Sequence, residues 1–282
     1  MNNAQETNQE TNHDLNNKQS VTMLKPCRHG DMLFLQRDQY VGRSLELYGE
    51  FSELEGDLFG QLLRPGHVVV EVGANIGAHT VHLAKLVGAS GTVYAFEPQR
   101  VIFQILCANI ALNALFNVHT YHAGLGREKG TLNVPPLDYA GVGNFGGLAL
   151  SEAAVGEAVS VWRLDDFKFT SLQVLKIDVE GMEADVLAGA RNTITRYRPI
   201  MYVENDRQEK SAALIQLIEE LGYSMYWHTP DMYNQNNYAG NRENIFPGII
   251  SINLLCIPKE LSLTMQGFRQ ITGPDDWWQN AR

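Results

Sequence analysis

Two stretches of this chain have residue types and spacing that could do chemistry: Glu71-Val-Gly73-Ala74-Asn75-Ile-Gly77 and Ala95-Phe-Glu97-Pro98. Gly73 and Gly77 bracket a turn where bare backbone can approach a ligand. Glu97 closes the next apolar run. An acid there, at the end of the second strand of a doubly wound sheet, can accept hydrogen bonds from a ribose diol. The pairing reads as a nucleoside-cofactor site. The glycines are spaced G-x-x-x-G, whereas a dinucleotide site reads G-x-G-x-x-G and packs a pyrophosphate on a helix N-terminus. A carboxylate at Glu71 would repel a pyrophosphate and suits a cofactor that is cationic at its reactive end. S-adenosyl-L-methionine, with its sulfonium and ammonium, fits. An NAD-linked oxidoreductase is the alternative that the spacing argues against.

A second set of acids follows. In Lys176-Ile-Asp178-Val-Glu180-Gly181 the alternation of a strand puts Lys176 and Asp178 on one side of the pleat, and Gly181 permits a sharp exit. Ligands of open α/β sheets bind at the carboxyl ends of the strands. Asp178 is therefore expected to face cofactor or acceptor. Glu180 is expected to be either a base or a stabilising acid at a helix start. The next strand ends Val203-Glu204-Asn205-Asp206, which offers Glu204 or Asp206 as a metal-free base. The alternative is a magnesium site made of Asp178, Glu204 and Asn205, since a hard cation prefers oxygen ligands. His79, Asn144 and His228 are further candidates for touching the acceptor.

The elements that must position these groups are legible as alternation. Strands are expected at 68–72, 92–97, 117–122, 173–178, 199–205, 223–228 and 250–257, with helices at 76–87, 99–113, 182–196 and 208–221. The last two strands lack a helix between them and should pair antiparallel. Ahead of this core, 21–65 reads as a cap of short strands up to Tyr48 and a helix over 50–63, ended by Arg64-Pro65-Gly66. Residues 66–258 form the expected core domain, and 259–282 an extension. The segments 123–160 and 229–248 break the pattern and are expected to be irregular lids over the substrate. Residues 1–20 hold nine Asn or Gln and read as a disordered polar tail.

Composition narrows the partners. The net charge is −10 without a basic run, which argues against nucleic acid. The cysteines at 27, 107 and 256 form no metal or disulfide pattern and fit a reducing cytoplasm. No apolar stretch is long enough for a membrane span. Oligomeric state is left open.

Glu71–Gly77, Ala95–Pro98, Leu175–Glu183 and Val186–Ala190 together resemble the FkbM-type methyltransferases, over roughly residues 67–205. That family usually has Asp where Glu71 stands. The resemblance implies the class I methyltransferase (Rossmann-like) fold, an α/β seven-stranded sheet, mostly parallel with one antiparallel strand and helices on both faces. It implies S-adenosyl-L-methionine as methyl donor. On that reading Gly73, Ala74, Asn75 and Gly77 line the amino-acid end of the donor with Glu71 as partner, Glu97 holds the ribose, and Pro98 and Gln99 border the adenine. The expected reaction is O-methylation of a hydroxyl on a small molecule such as a sugar or natural product. The other reading is a catalytically silent binding module that keeps the fold.

Overall fold

The computed structural model describes residues 20–148, 155–263 and 265–281. The expected polar tail therefore lies outside the described residues except for Ser20, as does 149–154 of the expected 123–160 lid. In chain order the elements are β1 (Thr22–Cys27), β2 (Gly30–Leu35), α1 (Val41–Tyr48), α2 (Glu53–Leu62), β3 (Val68–Val72), α3 (Ala78–Val87), β4 (Thr92–Phe96) and α4 (Arg100–Leu112). Then come β5 (Val118–Tyr121), β6 (Gly124–Leu125), β7 (Gly130–Val134), β8 (Glu157–Trp162), β9 (Val174–Ile177), α5 (Glu183–Ala188) and α6 (Arg191–Tyr197). The chain continues through β10 (Ile200–Glu204), α7 (Gln208–Glu220), β11 (Tyr223–His228), β12 (Asn253–Pro258) and β13 (Arg269–Gln270).

The main sheet has the order β13-β11-β12-β10-β9-β3-β4-β5. β10, β9, β3, β4 and β5 run parallel, while β12 is antiparallel to both β10 and β11. β3 is buried along its whole length, as a β-branched run covered on both faces requires. Val69 packs with Leu58, Phe59, Leu83 and Val87 of α2 and α3. Its neighbours Val70 and Val72 turn the other way, onto Val186, Leu187, Ile194 and Leu214 of α5, α6 and α7. The period of two along one strand thus fixes which helices cover which face.

Three expectations are corrected. The sheet has eight strands, not seven, because β13 adds a second antiparallel edge through Tyr226–Gln270 and Trp227–Arg269. Two polar residues carry no alternation to read. They are held by their surroundings, with the Arg269 guanidinium 2.6 Å from Asp276 and the Ile271 N–H bonded to the Met225 carbonyl at 2.9 Å. Residues 41–48 are helical rather than extended. Asp38 Oδ1 accepts the N–H groups of Tyr40 and Gly42 at 3.0 and 2.9 Å, and the turn it starts buries Val41, Leu45 and Tyr48 on one face. The helix expected over 182–196 is two helices. Gly189 sits where a Cβ would lie 2.0 Å from the Gly126 carbonyl oxygen, and Asp165 caps the second helix through Asn192 and Thr193.

Residues 123–160 are also more regular than expected, since β6, β8 and β7 form a small sheet of their own. No helix among the described residues is long and apolar enough to cross a membrane.

Candidate active site

The glycine turn after β3 is clamped to the end of β4: the N–H groups of Gly73 and Ala74 both donate to the Phe96 carbonyl, at 3.0 and 2.9 Å. Gly73 has φ +83°, and a Cβ there would stand 1.7 Å from the Asp178 carbonyl oxygen. Only glycine lets the turn pass the end of β9. Asn75 takes a left-handed conformation, φ 51°, as a short polar side chain tolerates. Its N–H then donates to Glu97 Oε2 at 2.9 Å, while Glu97 Oε1 accepts from the Gln99 N–H at 2.8 Å. Glu97 is 4 % exposed, and burial pushes its carboxyl up to about 7. Gln99 donates its amide to the Phe145 carbonyl at 2.7 Å, and its Oε1 is shielded from solvent with no partner among the described residues.

These groups line one cleft of about 330 Å³. On its far side Asp178, Glu180, Glu204 and Asp206 also line it. The cap contributes Tyr40, Phe51 and Glu55, the loop before β12 contributes Ser251, and β12 itself contributes its first residue, Asn253. Asp38 ties the cap to the 138–147 segment, accepting the Phe145 N–H at 3.3 Å, and the Gln39 N–H bonds the Gly143 carbonyl at 2.9 Å.

Beneath the cleft lies Lys176, 2 % exposed, with its ammonium 2.9 Å from Asp178 Oδ2. Glu71 and Glu55, both buried, add their fields to that of Asp178, and together these carboxylates hold the Lys176 ammonium protonated. Glu71 is turned toward α3, accepting from Thr80 Oγ1 at 2.6 Å, and burial raises its carboxyl to about 7. Glu180 has φ 57°. The backbone strain there is supported by Arg207, 2.6 Å from Glu180 Oε2. Burial also lifts Glu180 to about 7. For Glu204, burial together with the facing Asp178, Glu180 and Asp206 holds the carboxyl well above the usual range.

The cleft brings together Glu71, Gly73, Ala74, Asn75, His79, Glu97, Pro98, Gln99, Asn144, Asp178, Glu180, Glu204 and Asp206. Three expected site residues do not line it. Gly77 begins α3 at φ 86°, and a Cβ there would press 2.7 Å from Leu106 Cδ1, so its smallness serves helix packing. His228 bonds the Tyr202 hydroxyl at 2.8 Å behind the sheet end. Asn205 is buried, its amide donating to Ser211 Oγ at 2.8 Å. The proposed oxygen cluster therefore loses Asn205 and gains Glu180: Asp178, Glu180 and Glu204 each offer a carboxylate oxygen within 4.8 Å of the others. The acid that caps the turn before α5 is Glu183, accepting from the Gly181 and Val179 N–H groups at 2.8 and 3.3 Å, rather than Glu180. His79 is 7 % exposed between Phe51 and Phe59. Burial lowers its pKa well below the usual histidine value, keeping the ring neutral.

Sequence reasoning missed Glu55. Ser52-Glu-Leu-Glu55 reads as a helix-start pairing, and Ser52 Oγ does donate to Glu55 at 2.8 Å. Nothing in that pattern says that the same carboxyl also reaches the cleft.

The family described as the methyltransferase FkbM domain matches residues 71–225. Methyltransferase 1 of Beauveria bassiana (strain ARSEF 2860) is 29% identical over 186 residues, covering 58% of this chain and 74% of that protein. Methyltransferase sdnD of Sordaria araneosa is 30% identical over 154 residues, 43% of this chain and 59% of that one. Among solved structures, methyltransferase FkbM from Methylobacillus flagellatus KT aligns at 18% identity and a TM-score of 0.44, over 78% of this chain and 56% of that one. With a family match that begins at Glu71, spans the glycine turn, Glu97 and the Asp178–Glu180 loop, and ends inside β11, this chain belongs to the FkbM methyltransferase domain family.

Proposed function

We propose that this protein is an S-adenosyl-L-methionine-dependent methyltransferase acting on a hydroxyl of a small molecule. The observation that carries the reading is the pairing of a buried Glu97, held by the Asn75 and Gln99 N–H groups, with the unpartnered Gln99 Oε1 beside it. A carboxylate has about four acceptor positions, so Glu97 keeps capacity for a ribose diol. Gln99 Oε1 lacks a donor, and the exocyclic amine of adenine is one. The tight glycine turn leaves room for an amino-acid moiety at Ala74 and Asn75. These residues fit the donor's nucleoside and amino-acid ends.

When bound, S-adenosyl-L-methionine supplies an electrophilic methyl: an acceptor lone pair forms the new bond to carbon as the carbon–sulfur bond breaks, leaving a neutral thioether. Alignment of the two reactants gives most of the acceleration in such a displacement. The part left to this chain is to hold the acceptor and take its proton. Asp178 and Asp206 are the more open carboxylates at the far side of the cleft, each 38 % exposed at the side chain, and are the groups assigned to that proton. Lys176 fixes the Asp178 carboxylate from below. The acidic cleft and net charge of −10 support a small acceptor over nucleic acid.

Calorimetric titration with S-adenosylhomocysteine tests the donor assignment. Binding that weakens clearly in Glu97→Ala supports it. No binding to the wild-type chain, or tighter binding of NAD, would refute it.

A further inference from the structure

The far wall of the cleft is built from acids whose oxygens are unevenly occupied. Asp178, Glu180 and Glu204 converge, with one oxygen from each within 4.8 Å of the others. Asp178 Oδ2 already receives the Lys176 ammonium at 2.9 Å, and Glu180 Oε2 the Arg207 guanidinium at 2.6 Å. Glu204 has no such partner. Its Oε2 is enclosed, shielded from solvent and without a hydrogen-bond donor among the described residues, although Glu204 lines the cleft. An enclosed oxygen left unpaired costs free energy unless a ligand supplies the donor. Asp206, a further carboxyl, lines the same cleft.

We infer that this wall is a subsite for an alkylammonium group carried by the methyl acceptor, with Glu204 as its principal anchor. The inference rests on the proposed methyltransferase reading and narrows the acceptor to a cationic amine-bearing molecule. A primary ammonium presents three donors and one positive charge. The wall presents the unpaired Glu204 oxygen together with the second oxygen of Glu180, which its ion pair leaves open, while Asp178 and Asp206 stay with the acceptor's proton. A divalent cation fits less well, because Lys176 and Arg207 already hold one oxygen of two of the three carboxylates and place positive charge beside the centre. Magnesium also prefers few carboxylates in near-ideal octahedral geometry with several waters. The wall is formed by the ends of β9 and β10, across the cleft from the Glu97–Gln99 side. A molecule anchored there would direct its remaining atoms toward the donor end.

The test uses the full chain saturated with S-adenosylhomocysteine and three probes on one scaffold: tyramine, tyrosol and 4-hydroxyphenylacetate. They carry an ammonium, a hydroxyl and a carboxylate respectively on the same phenol. The expected result is that tyramine binds at least tenfold tighter than tyrosol, that 4-hydroxyphenylacetate is excluded, and that Glu204→Gln removes the preference for tyramine while S-adenosylhomocysteine affinity persists. Equal binding of tyramine and tyrosol, no binding of tyramine, or a preference unchanged in both Glu204→Gln and Glu180→Gln overturns the subsite. A parallel titration with magnesium and manganese separates the other cation source. A divalent ion that binds and displaces tyramine overturns the ammonium assignment. Failure of S-adenosylhomocysteine itself to bind would strike the donor reading, and is distinguishable from all of these.

Discussion

The Lys176 ammonium lies 2.9 Å from the Asp178 carboxylate, and the two differ sharply in exposure: the lysine side chain is 3 % exposed and the aspartate 38 %. One end of the pair is set in the core and the other opens on the cleft. Lys176→Met should therefore do two things. It leaves the buried Glu71 and Glu55 without their cation, which should cost about 3 kcal/mol of stability, as breaking a buried ion pair does. It also frees Asp178 to rotate, lowering kcat at unchanged S-adenosylhomocysteine affinity. Urea denaturation reads the first effect and steady-state kinetics the second. A variant as stable as wild type would show that the lysine is not the counter-ion of the cluster.

Glu97→Ala should weaken S-adenosyl-L-methionine binding by about 1–3 kcal/mol, the cost of losing a hydrogen-bonded charged group. Because Glu97 also holds the Asn75 and Gln99 N–H groups, the loss should be larger than for Gln99→Ala. Calorimetry on the two variants gives the comparison, and equal losses would remove Glu97 from the ribose.

The pH dependence has a definite sign. Burial raises the Glu97 carboxyl to about 7, above its value in an unfolded chain of about 4.3. Between those values the folded state binds more protons than the unfolded one, so this contribution to stability is full below about pH 4.3 and is lost as pH rises through 7. The span corresponds to roughly 4 kcal/mol. His82, which burial lowers to about 4, acts oppositely: its contribution is full above about 6.5 and is lost as pH falls through 4. The difference between wild type and Glu97→Gln isolates the carboxyl. The denaturation midpoints of the two should diverge from pH 5 to about pH 7, with the wild type losing ground, and keep a constant gap above that. Parallel profiles would mean that Glu97 titrates normally.

Two glycines make a matched pair. Gly73→Ala places a methyl 1.7 Å from a backbone oxygen at φ +83°, and should cost more than about 3 kcal/mol in folding or abolish donor binding. Gly60 lies inside α2 with nothing within 4 Å of its would-be Cβ. Gly60→Ala should instead stabilise the protein by about 0.5–1 kcal/mol. Thermal melts of the two variants check both directions, and a tolerated Gly73→Ala would mean that the turn can move away from β9.

The Gly73–Glu97 half of the cleft was legible in the sequence because it is local. The Gly73 turn, Asn75 and Glu97 are joined by bonds between neighbouring strand ends, and their order in the chain announces them. Glu180 was ambiguous between base and helix acid, and Glu183, three residues on, takes the capping role instead. Asn205 and His228 carry chemistry-bearing side chains at strand ends, yet each turns to a buried partner, Ser211 or Tyr202. Strand position predicts the sheet edge but not the rotamer. Glu55 was invisible for another reason: its helix directly precedes β3 but carries none of the motif residues, and its carboxyl reaches the cleft only when α2 packs on β3. The eighth strand escaped because two residues held by an ion pair leave no periodic trace.

The turn at Gly73 has a consequence for how the chain assembles. Its strand, β3, pairs on one side with β4, close in sequence, and on the other with β9, where the Gln173 side chain meets the Val68 N–H across 105 residues. Closing so long a loop is slow relative to forming local contacts. A chain emerging from synthesis holds the entire glycine motif well before Asp178 exists to brace it. On the proposed donor reading, the nucleoside-holding groups come together with β3, α3 and β4, whereas the Asp178 wall is added only when β9 pairs with β3, so during refolding donor affinity should appear before turnover.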